Sequence, residues 1–223
     1  MKCYKDGQEV DSLVCSKLIT VLIPVHNGIK TLENCLASTF SQSFEDYDIL
    51  VVDDGSTDGT LDYLLNFPLK GLSVISQKKK GIVAALNVGL SVISSPYIAR
   101  MDADDIMHNK RLQVEYDFLH HHPAYDLVAT RMALFSGHPS NVFATTKVAG
   151  KVTQETLYPH NNIAHPTVLA KKEIFCDGYQ VGTDGQEDHI LWKKCFSEGR
   201  SMFILDEVLL LYRVKEKELW RFQ

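Results

Sequence analysis

The chain has 223 residues, 45% of them hydrophobic and 23% charged, enough for one large α/β domain or two small ones. Its net charge of -5, with no basic arm or arginine-rich helix, speaks against nucleic acid as the main partner. Five scattered cysteines (Cys3, Cys15, Cys35, Cys176, Cys195) form no Cys-x-x-Cys pair, the polar start from Met1 to Ser12 is no signal peptide, and no run nears the ~18 apolar residues of a membrane span. These features predict a cytoplasmic protein with reduced thiols, with peripheral attachment to the inner face of the cytoplasmic membrane left open.

Taken in order, Leu18 to Pro24 is a continuous apolar run that reads as a strand buried on both faces, followed by a turn at Val25 to Gly28. Ile29 to Gln42 carries Leu32, Cys35, Leu36 and Phe40 at helical spacing. Tyr47 to Val52 is a second buried strand running into Asp53-Asp54-Gly55-Ser56-Thr57-Asp58-Gly59. A short helix from Thr60 to Phe67, a strand from Leu72 to Ser76 and a helix from Gly81 to Ile93 follow. The next strand, from Tyr97, ends in Asp102, Asp104 and Asp105. A helix from about Asn109 to His122 and a strand from Tyr125 to Met132 complete the alternation, which argues for a parallel sheet with right-handed crossovers.

After Phe135 the rhythm changes. Ser136 to Gly150 reads as a hairpin or irregular excursion, and a polar loop at His160-Asn161-Asn162 leads into His165 to Ala170. A glycine-rich loop, Asp177 to Gly185, precedes a helix from Glu187 to Glu198, and Met202 to Leu205 and Val208 to Val214 are two short strands. With no repeat and no linker, the expectation is one domain over 1–223.

Ligands of such sheets sit outside the carboxyl ends of the strands, so His26, the loop from Asp53 to Asp58 and Asp102 to Asp105 should share one rim. Clustered carboxylates repel one another unless a cation holds them, and Mg²⁺ or Mn²⁺ takes oxygen ligands. A solvated acidic turn that caps a helix is the plainer account, as turn formation is for Asp53 to Gly59. No Gly-x-Gly-x-x-Gly and no P-loop sequence is present. A calcium loop fails at Leu65 for one acidic segment and at Ile106 and Met107 for the other. A nucleotide diphosphate needs a carboxylate for base or ribose donors and a metal between carboxylates and phosphates. Asp54 suits the first task; Asp102 and Asp104 suit the second. Lys78-Lys79-Lys80 is a solvated loop or a helper for an anion, and His120-His121-His122 a solvated helix end.

Three blocks, Ile19 to Asn27, Val51 to Asp58 and Ala99 to Asp105, resemble successive motifs of glycosyltransferase family 2. His165-Pro166-Thr167, Glu187-Asp188-x-x-Leu191-Trp192 and Tyr212-Arg213-Val214 continue the match in order. The resemblance implies an α/β GT-A fold, with 18–134 as the nucleotide-sugar half, 135–214 as the acceptor half and 215–223 as a tail. It further implies a Mn²⁺- or Mg²⁺-dependent, inverting transfer of a hexose or N-acetylhexosamine from a UDP-sugar. The acceptor would be a growing bacterial surface glycan or a lipid-linked oligosaccharide, as in lipopolysaccharide, capsule or exopolysaccharide synthesis.

Carried over by residue, Asp54 would bind uracil with His26 against its face. Pro24, Val25, Asn27, Lys80, Asn87, Arg100, Asp102 and Ala103 would complete the nucleotide-sugar contacts. Asp104 and Asp102 would hold the metal, and Asp188 would be the catalytic base. His165, Glu187 and Trp192 would touch acceptor or phosphate; Trp192 also reads as core, Arg100 as an orienter of an acidic neighbour. Two departures stand out: His26 where many members have tyrosine, and Val214-Lys215-Glu216-Lys217 where members often place a histidine. The rival readings are a sugar-nucleotide pyrophosphorylase, whose Gly-Gly-x-Gly-x-Arg loop is missing, and a silent nucleotide-sugar or glycan-binding module.

Overall fold

A computed structural model describes residues 1–215 and 219. It opens with a hairpin, β1 (Lys2–Lys5) and β2 (Gln8–Val10). The expected α/β alternation follows as β3 (Ile19–Val25), α1 (Leu32–Phe40), β4 (Tyr47–Asp54), α2 (Thr60–Leu65), β5 (Leu72–Gln77), α3 (Ile82–Val92) and β6 (Tyr97–Arg100). Next come β7 (Ile106–Met107), α4 (Arg111–His121), β8 (Leu127–Phe135), β9 (Val142–Thr145), β10 (Gly150–Lys151) and α5 (Gln154–Leu157). The described elements end with β11 (Leu169–Lys171), α6 (Glu187–Ser197) and β12 (Met202–Arg213). From residue 216 on, the predicted tail lies outside the described residues except for 219.

The strands form one mixed sheet in the order β10-β12-β8-β11-β6-β3-β4-β5-β1-β2, whose central run β6-β3-β4-β5 is parallel. Three details depart from the sequence reading. The polar start is not structureless: β1 pairs antiparallel with the edge of β5. The segment after His165 is a 3₁₀ turn (His165–Thr167), and the short β11 behind it runs antiparallel between β6 and β8. The two expected C-terminal strands are one strand, β12, with irregular register around Val208.

The unbroken apolar runs of β3 and β4 are explained by burial on both faces. Leu22, Leu50 and Val52 face a core with Leu86 and Trp192, while Val21, Ile23 and Val51 face another with Leu32, Leu36 and Leu112. Helix α3 sits close to the sheet because Gly89 has no side chain; a Cβ there would meet Leu22 at 2.4 Å.

Beneath the acidic segment lies an ion pair that reads from sequence as an ordinary surface i,i+4 couple. Arg111 Nε donates to Glu115 Oε1 at 2.9 Å, and both side chains are wholly buried. Arg111 Nη2 also donates to the carbonyls of Arg100 and Val168, at 3.0 and 3.1 Å, which ties α4 to the end of β6. Burial pushes the Glu115 carboxyl up to about 7 against the opposing pull of Arg111. A carboxyl raised in the folded state stabilises most below its unfolded range, near pH 4.5, and loses that contribution as the pH climbs through 7. Urea denaturation of wild type and Glu115→Gln should therefore show the wild-type advantage shrinking by about 2 kcal/mol between pH 5 and pH 8. A parallel pair of pH curves would contradict it.

Candidate active site

The rim expected from strand connectivity exists, and main-chain amides lace it together. Asn27, at φ +55°, donates its N–H to Ser56 Oγ at 2.8 Å and accepts the Thr57 N–H on Oδ1 at 2.8 Å. The Gly28 N–H goes to Thr60 Oγ1 and the Ile29 N–H to Asp58 Oδ2, at 2.9 and 3.2 Å. Asp58 also closes the turn before α2 by accepting from the Thr60 N–H and Oγ1. So Asp53, Ser56, Thr57 and Asp58 do the turn work that their residue types suggested, while no side chain caps α2. Gly55 is required: its φ is +70°, and a Cβ would lie 2.6 Å from the Lys79 amide nitrogen.

Asp54 has a different part. Its buried carboxylate accepts from the Lys80 and Gly81 amides at 2.8 Å each and from Gln77 Nε2 at 2.7 Å. It thus shapes the loop before α3 and faces a cavity of about 140 Å³ lined with Pro24, Val25, His26, Ile82 and Ala85. His26 Nδ1 lies 2.9 Å from the Asp54 carbonyl and Nε2 2.9 Å from Lys79 Nζ. An ammonium can only donate, so Nε2 accepts and Nδ1–H donates to the carbonyl, which sets the ring's orientation. Lys80 takes part through its backbone amide, with an exposed side chain.

A larger cavity, about 540 Å³, adjoins along Pro24, Val25 and His26 and extends past Asn27 and Lys30 to Asp102, Ala103, Asp104, Arg213 and Lys215. The acidic loop is fastened at several points. Thr31 Oγ1 donates to the Ala103 carbonyl at 3.1 Å, and Arg213 reaches in from the end of β12. The Arg213 N–H donates to Asp105 Oδ1 at 2.8 Å, its Nε to the Asp104 carbonyl at 2.8 Å, and its guanidinium lies over the Phe135 ring. Arg100, 1% exposed, donates from Nη2 to Asp102 Oδ1 at 2.5 Å and from Nη1 to the Met101 carbonyl. It orients the carboxylate two residues on.

The donor set suits a hard cation shared with a ligand. Among the described residues no three His, Cys, Asp or Glu side chains gather to hold an ion unaided. Two carboxylates with substrate phosphates are the usual Mg²⁺ arrangement. Burial first, and then the Asp102 charge, push the Asp104 carboxyl above its ordinary range, against Lys215 and Arg213. Asp105 is raised further by burial and by both neighbouring aspartates, and its Oδ2 is buried without a partner among the described residues. A divalent ion at Asp102 and Asp104 would relieve that repulsion.

Asp102 also lines a cavity of about 320 Å³ on its other side, with Ile82, Arg100, Met132, Asn161, His165, Glu187, Asp188 and Tyr212 among its walls. Asp188 stands in the first turn of α6. Its Oδ2 accepts from Asn161 Nδ2 at 2.8 Å and its Oδ1 from the His189 N–H at 2.6 Å. Burial raises its carboxyl above the usual range, helped by Glu187 and opposed by the His189 amide and Arg100. Glu187 is buried and accepts the Gly185 N–H at 2.5 Å. His165 shares a 2.8 Å hydrogen bond with the Tyr179 hydroxyl, and burial, followed by Arg100, holds its ring well below the ordinary histidine range. It is therefore a neutral group, and its 3.9 Å approach to Glu187 is no ion pair.

Two expected contacts lie elsewhere. Trp192 is fully buried behind His165, ring centroids 5.9 Å apart, and belongs to the core, because an indole this large on the inner face of α6 fills space between helix and sheet. Asn87 lines none of these three cavities. Its amide clamps the Gly178–Tyr179 turn, accepting the Tyr179 N–H at 2.7 Å and donating to the Tyr179 carbonyl at 2.9 Å. Arg213 and Asn161, not among the residues the resemblance assigns to the site, reach it from segments distant in sequence.

Comparison with known proteins agrees with this fold. The family model described as glycosyl transferase family 2 matches residues 20–178. EpsE of Bacillus subtilis, which carries a glycosyltransferase name, is 29% identical over 209 residues, 89% of this chain and 73% of its own. Among solved structures, S. aureus TarS 1-349 in complex with UDP-GlcNAc superposes with a TM-score of 0.74 at 21% identity, over 89% of this chain and 59% of that one. The mannosyltransferase PcManGT from Pyrobaculum calidifontis, in complex with GDP-Man and Mn²⁺, gives 0.70 at 19%, over 92% and 60%. The chain thus spans about three fifths of these solved chains, and the shared GT-A fold is what the likeness establishes.

Proposed function

The chain belongs to glycosyl transferase family 2 and is a glycosyltransferase, and from that premise we propose that it moves a hexose or N-acetylhexosamine from a UDP-sugar to a hydroxyl of a growing glycan or lipid-linked oligosaccharide, with inversion. One observation carries the reading: Asp102 forms a wall of two cavities, one running to Asp104 and His26, the other containing Asp188. A donor lying along the first would present its sugar over Asp102 to an acceptor in the second.

Each residue then has a task. Asp54 and His26 border the cavity of about 140 Å³ in which this reading seats the uracil ring. Asp102 and Asp104 would hold a Mg²⁺ or Mn²⁺ ion, and when bound that ion neutralises charge developing on the departing diphosphate. Arg100 keeps Asp102 facing the donor, and Arg213 braces the loop. Asp188 takes the proton of the acceptor hydroxyl as its oxygen attacks the anomeric carbon, while UDP leaves from the opposite face. The division into a donor half over 18–134 and an acceptor half over 135–214 is part of the proposal, with Arg213 crossing it to reach the donor cavity. No described helix is long and apolar enough to cross a membrane.

Calorimetry with UDP and GDP, each with Mn²⁺ and with chelator, tests the donor site. UDP should bind about tenfold or more tighter than GDP, and chelation should weaken it by a similar factor. Equal affinity for the two nucleotides would overturn the base assignment, and indifference to Mn²⁺ the metal assignment. With UDP-sugars and Mn²⁺ the expected product is UDP. Pyrophosphate would identify a pyrophosphorylase, and binding without turnover a silent module.

A further inference from the structure

We propose that Asn161 is a positioning residue for the transfer step, holding the Asp188 carboxylate in one orientation through its side-chain amide. The inference rests on the reading of Asp188 as base and extends it to a residue outside α6. Asn161 lines the same cavity as Asp188 and comes from the loop between α5 and the His165 turn. Its own orientation is decided by the chain: Oδ1 accepts the Ile163 N–H at 3.1 Å, so Nδ2 is the end turned to Asp188 Oδ2, 2.8 Å away. The other carboxylate oxygen takes the His189 N–H. Two donors from two directions pin the plane of the carboxylate and leave a lone pair on each oxygen for an acceptor hydroxyl.

The loop that carries Asn161 is itself docked on α6. His189 Nε2 lies 2.7 Å from the Leu157 carbonyl, which can only accept, so this nitrogen carries the proton. Lys193 Nζ stands 4.8 Å from the centre of the Tyr158 ring. Asn161 is therefore presented by a fastened segment, as a group that orients a catalytic side chain needs to be.

An amide donor stabilises the ionised form of a carboxylate, against the burial that raises it. The charged and titratable groups around Asp188 are Glu187 and His189 on α6, Arg100 on β6, Asp102 after it, His165 on its turn, Tyr179, and Tyr212 on β12. Asn161 Nδ2 is a neutral donor at Oδ2.

The test compares wild type, Asn161→Ala, Asn161→Asp and Asp188→Asn by kcat, UDP affinity and the pH profile of kcat/KM. Asn161→Ala should lose about tenfold or more in kcat with UDP affinity unchanged, since its partner lies outside the donor cavity. Its acid limb should move up by about half a pH unit or more. Asn161→Asp, which still accepts the Ile163 N–H but turns a carboxylate on Asp188, should move the limb further. An acid limb unmoved in Asn161→Asp, with Asp188→Asn inactive, overturns the inference and leaves the base assignment standing. Should Asn161→Ala fail to fold, Asn161→Asp alone decides by the same limb. Wild-type transfer by Asp188→Asn would instead overturn the base assignment and this inference with it.

Discussion

If Asp188 is the base proposed above, asparagine at position 188 should lower the rate of sugar transfer by about 10²- to 10⁴-fold, the usual contribution of a positioned general base. The substitution keeps the shape of the side chain and one oxygen to accept the Asn161 or His189 hydrogen bond. What it removes is the ability to take a proton from the acceptor hydroxyl. Burial has lifted the Asp188 carboxyl above the ordinary aspartate range, towards the pH at which a base works best. UDP affinity, measured with Mn²⁺, should stay at the wild-type value because Asp188 lines the 320 Å³ cavity and not the one reaching Asp104. Loss of UDP binding together with turnover would show that the change had damaged the fold or the donor site. Full activity would remove Asp188 from the mechanism.

Arg111→Ala should cost about 3 to 5 kcal/mol of unfolding free energy by urea denaturation near neutral pH. The reason is less the loss of attraction than what stays behind. Glu115 would remain fully buried, with Oε2 lacking a partner among the described residues and Oε1 losing the Arg111 donor. The carbonyls of Arg100 and Val168 would lose a charged donor as well. Replacing both partners with apolar residues, as in Arg111→Leu with Glu115→Leu, should cost much less, since no charge is stranded. A loss below about 1 kcal/mol for Arg111→Ala would mean that water reaches the pair on mutation. Arg100 precedes the acidic loop directly, so the same variant should also weaken Mn²⁺-dependent UDP binding.

How far the sequence carried differs from residue to residue. His26, Asp54 and Asp102 to Asp104 were placed on one rim because apolar runs mark buried strands and carboxyl ends of parallel strands open to one side. Asp188 stood out as an acidic helix start after a glycine-rich loop and as part of a family motif. Trp192 reads from sequence as core ahead of acceptor floor, and the structure buries it in the core. The i,i+4 pair of Arg111 and Glu115 looks like solvent-facing decoration until the strand end beneath it is known. Asn87 is equally silent: its amide serves a turn 92 residues away.

The sequence by itself determined the central strands, their helices and the edge at which the carboxylates collect, since hydrophobic periodicity and turn chemistry act within a few neighbours. Only the tertiary structure decided what each polar group grips: Arg213 on Asp105 across 108 residues, Asn161 on Asp188 across 27, and β11 between β6 and β8. Those pairings depend on hydrogen-bond distance and angle between separate segments, which residue type and spacing do not encode.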